Sequence, residues 1–178
     1  MSSAMSNKTC FLNLLVAFST ILLSACTNLP SDENLIRNFN EHKKDLELIL
    51  QMSSEDKGMY RVAFDWLGAD PGVARPEAPK GITEERWNEY TILFRKVGLS
   101  EGIQRYGENV EFITGSYGMV GRGEDNGYLY MPKVDPSYVT LKSLDWNTVH
   151  DLRDSDIKYK DTTFIRPLNG NWYLYRAN

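Results

Sequence analysis

An α+β domain is what this sequence predicts, with two amphipathic helices packed on an antiparallel sheet that ends in a C-terminal β-hairpin. Three observations predict it. Apolar residues recur at helical steps between Leu35 and Ile49 and again between Trp87 and Val97. The second half of the chain alternates apolar and polar residues as strands do, and an Asn169-Gly170 pair separates two apolar runs near the end.

The elements follow in chain order. Residues Met1 to Lys8 are polar with one positive side chain, and Phe11 to Leu23 is apolar apart from Asn13, Ser19 and Thr20. That is the layout of a secretory signal, and the run is too short for the roughly 20 apolar residues a membrane span needs. It ends in Leu23-Ser24-Ala25-Cys26, which resembles the lipobox of signal peptidase II substrates: a branched apolar residue, two small residues and a cysteine. The resemblance implies cleavage before Cys26 and acylation of its thiol and new amine; separately, no cofactor is expected. Each buried acyl methylene contributes about 0.8 kcal/mol, so several chains anchor a protein firmly in a membrane. In the Gram-negative families that the lipobox resembles, Thr27 in place of aspartate implies sorting to the outer membrane, facing the periplasm; in a Gram-positive organism that implication lapses. The expected organisation is therefore a signal peptide over 1–25, a lipidated tether over 26–32 and one domain over 33–178.

After the tether, Ser31 or Asp32 can cap a helix to about Met52 with Leu35, Phe39, His42, Leu46 and Ile49 on one face. Tyr60, Val62, Phe64 and Trp66 alternate with polar or small residues and predict a strand. Pro71, Pro76 and Pro79 mark a loop between Gly68 and Gly81. Thr83 caps a second helix with Trp87, Tyr90, Phe94 and Val97 inward, stopped by Gly98. A turn is expected over Ser100 to Tyr106, then strands over Val110 to Tyr117 and Tyr128 to Met131. Between Asp135 and Tyr159 two readings stand: Asp135-Pro136 can start a helix, while Tyr138, Thr140 and Lys142 alternate as a strand. In the closing hairpin, a two-residue Asn169-Gly170 turn pairs Leu168 with Asn171 and Pro167 with Trp172. It puts Ile165, Pro167, Trp172 and Leu174 on a buried face, and Arg166, Tyr173 and Tyr175 on the other. Pro167 has no amide to donate, so its strand should be an edge there.

Composition narrows the function. The leader carries one Lys and no acid, so the 153 residues from Cys26 onward hold 19 basic and 24 acidic side chains, a net of −5. No basic cluster is present to displace counterions, which argues against a nucleic-acid partner. Cys10 leaves with the signal and Cys26 is acylated, so neither a disulfide nor a cysteine-ligated metal is expected in the domain. The only histidines are His42 and His150. His42 is expected to pack on its helix beside Asp45, and His150 to be solvated beside Asp151. Asp151, Asp154 and Asp156 lack the spacing of a calcium loop, and Glu124-Asp125-Asn126-Gly127 reads as hairpin turn chemistry. Gly115, Gly118, Gly121, Gly123 and Gly127 lie between strands, with no helix for a phosphate to cap, and read as a flexible β-connection. Ser116 lacks the spacing of a nucleophile elbow.

Several clusters, namely Arg61-Val62 with Asp65, Arg86-Trp87-Asn88-Glu89-Tyr90, Arg105-Tyr106-Gly107, Gly127-Tyr128-Leu129-Tyr130 and Gly170-Asn171-Trp172-Tyr173-Leu174-Tyr175, carry a resemblance. Together they resemble a family of small, uncharacterised proteobacterial proteins, many of them lipoproteins. The resemblance covers most of the domain and implies an α+β fold but no activity. The function expected first is a non-enzymatic envelope lipoprotein that binds another macromolecule, with Arg166, Tyr173 and Tyr175 as its partner-binding surface. An immunity protein against a periplasm-acting toxin is a specific form of it. An envelope hydrolase is the alternative, though no nucleophile, base and orienting group assemble by motif.

Overall fold

The computed structural model describes residues 29–56, 58–65, 67–68, 81–119, 122–159 and 161–177. The lipobox, Trp66 and most of the Gly68–Gly81 loop lie outside the described residues. Three helices and an eight-stranded, mostly antiparallel sheet make up an α+β fold.

Helix α1 spans Asp32–Glu55, with the Ser31 hydroxyl accepting the Asn34 amide at its start. Its buried stripe is Leu35, Phe39, Leu46, Ile49 and Met52, which is the expected helical spacing with one exception. His42 has non-helical backbone angles (φ −117°, ψ 15°), so the helix is kinked there and the imidazole is only partly covered. Its Nδ1 lies 3.4 Å from Asp45. Helix α2, Glu84–Val97, is capped by the Thr83 hydroxyl and ends on Gly98, whose left-handed φ of 72° lets the Leu99 amide close the last turn on Phe94. The helices are stitched by Arg86, which donates to Glu55 at 2.7 Å and to Asp56 at 2.9 Å, while the Tyr90 hydroxyl donates to the same Asp56 carboxylate.

Strands follow as β1 (Arg61–Val62), β2 (Leu67–Gly68), β3 (Gly102–Tyr106), β4 (Asn109–Met119), β5 (Arg122–Tyr130), β6 (Val139–Thr140), β7 (Phe164–Asn169) and β8 (Trp172–Ala177). They lie in the order β2-β1-β3-β4-β5-β8-β7-β6. Every pairing is antiparallel except β6 with β7. A parallel neighbour needs a crossover, and residues 141–163 supply it through helix α3, Trp146–Ser155, and a short 3₁₀ turn at Ile157–Tyr159. Both readings of the 135–159 segment thus hold a part of the answer, but the helix starts at Asp145, ten residues later than Asp135-Pro136 suggested.

One large apolar cluster joins α1 and α2 residues to Phe112, Tyr128, Trp172 and Leu174 of the sheet, together with Leu144, Val149 and Phe164. A smaller one of Ile113, Leu129, Met131, Ile165 and Tyr175 lies on the opposite side of the same strands. Strand alternation makes this possible, since neighbouring residues such as Phe112 and Ile113, or Leu174 and Tyr175, face opposite ways.

Several expectations are corrected. Among the described residues there are three helices and not two, because the polar surroundings of Val149 and Leu152 hid the α3 stripe. The Ser100–Tyr106 segment is strand β3, paired along its length with β4. The strand expected over Tyr60–Trp66 is only Arg61–Val62. Val62 and Ala63 are both buried in succession, so the alternation breaks there. Glu124-Asp125-Asn126-Gly127 is not a turn but the middle of β5, and Gly115, Gly118, Gly123 and Gly127 are strand residues.

The C-terminal hairpin exists with a shifted register. Phe164 pairs with Arg176, Ile165 with Tyr175, Arg166 with Leu174 and Pro167 with Tyr173, and then Leu168 bulges so that Asn169 meets Trp172. The loop residues are therefore Gly170 and Asn171. Only Gly170, at φ 58°, has a positive φ, and glycine at the first loop position is the pattern of a type II′ turn. A type I′ turn would have forced positive φ on Asn169 as well. Trp172 and Leu174 are buried as expected, whereas Ile165 and Pro167 do not share their face, and Tyr175 is buried rather than exposed. Strand β6 pairs with Phe164 and Ile165, so among the described residues β7 has no partner beyond β8 at Pro167.

Candidate functional site

Two polar groupings stand out, one on each face of the sheet. On the helix-facing side, Glu124 of β5 is buried and ion-paired to the nearly buried guanidinium of Arg153 from α3. His150, one turn earlier on α3, brings its Nε2 to 3.6 Å from the same carboxylate. Arg153 also lies over the Phe164 ring, 5.4 Å from its centroid. Arg176 of β8 is buried among them. Burial pushes its pKa down, and the nearby carboxylates of Glu124 and Asp32 oppose that shift. Asp32, at the first turn of α1, accepts the Leu144 amide at 2.8 Å and Arg166 at 2.7 Å. These bonds join the start of α1, the crossover and the hairpin. Charges withdrawn from water persist only when paired, so the grouping holds the fold together at this end.

The other face carries a carboxylate with different surroundings. Glu111 sits on β4 between Gln104 of β3 and Leu129 of β5. Burial raises its pKa to about 7, the charge of Asp125 adds to the rise, and Arg61 opposes it. Tyr106, Tyr138 and Tyr175 are held as phenols well above neutral pH, chiefly by burial and in part by the Glu111 charge. Among the described residues, the Tyr175 hydroxyl is buried without a hydrogen-bond partner. Tyr60 stacks edge-on against Tyr106 at 5.3 Å and accepts the Gln104 amide at 2.7 Å, while Arg61 donates to Gln104 and Glu101. Tyr106 is 46% exposed, so the grouping opens to solvent on its β3 side. A carboxyl half-protonated near neutral pH can accept or donate a hydrogen bond, and phenols around it add flat area with a polar edge.

The sequence-expected surface does not assemble. Arg166 turns toward Asp32 on the helix side, Tyr173 is half-buried on the opposite side, and Tyr175 lies under the smaller cluster. Cys26 lies outside the described residues. Asp151, Asp154 and Asp156 do not converge, and among the described residues no group of three or more His, Cys, Asp or Glu side chains is arranged to hold a metal ion. A depression of about 520 Å³ lies on the outer side of α1, lined by Glu33, Ile36, Arg37, Asn40 and Glu41. Among the described residues, all five come from one helix.

Glu111 and Glu124 are carboxylates that the sequence reading did not single out as site candidates. Glu111 alternates with Val110 and Phe112 as an ordinary outward residue would. A signal existed in Ile113, Leu129 and Met131, which make a second apolar face. The resembling clusters, by contrast, hold the fold: Trp87 donates to the Ala63 carbonyl at 2.7 Å, Arg105 to the Ser53 carbonyl, and Tyr128 to the Leu35 carbonyl at 3.0 Å. Compared with protein-family models, with curated proteins and with solved structures, the chain matches none.

Proposed function

We propose that the chain is an envelope lipoprotein, anchored through acyl chains on Cys26, whose domain binds another macromolecule without catalysing a reaction. The carrying observation is the Leu23-Ser24-Ala25-Cys26 lipobox, which stands only five residues ahead of the Ser31 cap that starts the domain. In this reading α1 and α2 cover one face of the sheet, and the other face meets the partner through Tyr106, Glu111 and Tyr173. Partly exposed aromatics around a polar group supply large contact area at low entropic cost, which is why such residues dominate binding energy at interfaces.

A photo-crosslinking amino acid placed at Tyr106 or Tyr173 in cells tests this. One discrete adduct from these positions and none from Glu41, on the outer side of α1, is the expected result. Adducts from Glu41 alone would move the binding surface to the helices.

A further inference from the structure

The chain between the lipid and the domain is shorter than the sequence suggests, because Leu29 and Pro30 already belong to the fold. The Asn126 side-chain amide of β5 donates to the Pro30 carbonyl at 3.0 Å, and Asn126 is itself buried and fixed by the Thr114 hydroxyl at 3.2 Å. Leu29 and Pro30 lie over Gly115 of β4. A Cβ at Gly115 would meet the Leu29 Cδ2 at 3.0 Å and the Pro30 Cδ at 3.1 Å. Next come the Ser31 cap and the bonds of Asp32 to Leu144 and Arg166. The free span is then only the three steps from Cys26 to Leu29, about 10 Å when fully extended.

We infer that this pinned tether fixes the orientation of the domain and presses the Gly115–Tyr117 end of β4 against the lipid surface, with Tyr117 in the headgroup layer. The inference rests on the lipoprotein reading. Tyr117 follows Gly115 by two residues, so it shares the face on which Leu29 lies and stands about 7 Å further along the strand. It is 49% exposed, and it pairs across the hairpin with Glu124, whose charge is taken up by Arg153 and not offered to the membrane. Leu29, Pro30 and the β4 residues Gly115, Ser116 and Tyr117 carry no charge, while β5 beside them brings Arg122, Glu124 and Asp125. Tyrosine favours the membrane–water interface, where its ring enters the apolar boundary and its hydroxyl stays hydrated. The other end of β4, at Asn109, is about 26 Å from Tyr117 and points the Gly107–Glu108 turn away from the lipid.

The test uses the full lipidated protein in vesicles of phosphatidylethanolamine and phosphatidylglycerol. A polarity-sensitive fluorophore is attached to Tyr117→Cys or Glu108→Cys, and lipids spin-labelled near the headgroup act as quenchers. Acylated Cys26 offers no thiol to the dye. Quenching several-fold stronger at 117 than at 108 is expected. It should fall when six Gly and Ser residues are inserted between Asn28 and Leu29. Equal quenching at both positions, or no change with the insert, overturns the inference while the acylated N-terminal peptide, weighed in the same sample, still supports the lipoprotein reading. A dye-labelled Cys26 in place of an acylated one defeats that reading, and the inference with it.

Discussion

Trp172 shows what a single residue carries in this fold. Its ring lies 5.1 Å from Phe112, 5.3 Å from Tyr130 and 5.5 Å from Phe39, so it joins β4, β5 and α1 at one point. Trp172→Ala should cost about 3 to 5 kcal/mol, because the cavity left between three elements cannot collapse. Tyr173→Ala, half-buried on the opposite face, should cost about 1 kcal/mol. Urea unfolding of both variants checks the contrast, and equal losses would contradict the face assignment. Glu111 behaves in the opposite sense. Its folded-state pKa of about 7 is above the ordinary 4.5, so the folded protein binds the extra proton and stability falls as pH rises from about 4.5 to 7. Glu111→Gln should therefore raise the melting temperature at pH 8, leave it nearly unchanged at pH 4, and flatten the profile between, by at most about 3 kcal/mol. A variant less stable at pH 8 would show that the carboxylate is paired and not merely buried. The burial of Trp172 could be read from its neighbours in sequence. That of Glu111 could not, because alternation says which residues share a face and not whether that face is covered.

At the scale of elements, the two long helices were legible because capping residue, apolar stripe and terminating glycine agreed, as at Thr83, Tyr90 and Gly98. Strand β3 was not, since Gly102 and the polar Gln104 and Arg105 read as a turn. Pairing with β4 supplied what local preference lacked. The hairpin was legible in kind and not in register, because the contact between Arg166 and the buried Asp32, 134 residues away, has no local signature. Two elements offer tests. Gly127 of β5 pairs with Ile113 of β4 and has no room for a side chain, as a Cβ would fall 1.9 Å from the Phe112 carbonyl oxygen. Gly127→Ala should force β4 and β5 apart and cost more than about 3 kcal/mol or abolish folding, to be read by circular dichroism. Helix α3 depends on Asp145, which accepts the Thr148 amide at 3.0 Å and its hydroxyl at 2.6 Å. The Thr148 hydroxyl, then its amide, lower the Asp145 pKa to about 2, so the cap stabilises above the ordinary carboxylate range and is lost as pH falls through about 2. Asp145→Ala should cost about 1 kcal/mol at pH 7, measured by thermal unfolding, and an unchanged stability would mean that α3 is held by Val149 and Arg153 alone.

Across the whole molecule, the sheet divides labour between its faces. One is sealed by helices and carries the paired charges that fasten the start of the chain. The other gathers Glu111 and its tyrosines. The proposed membrane address rests on Leu23 to Cys26, because processing enzymes of that kind would read local sequence. A binding face is harder to read in a sequence, since it depends on which side chains converge from β1, β3, β4 and β8. The proposed attachment of the domain to a membrane through Cys26 can be put to a single measurement. Cells grown with radiolabelled palmitate are lysed, and the wild type and Cys26→Ser are immunoprecipitated. Label on the wild type alone is expected, with the variant retaining its leader; equal label on both, or none on either, would overturn the attachment.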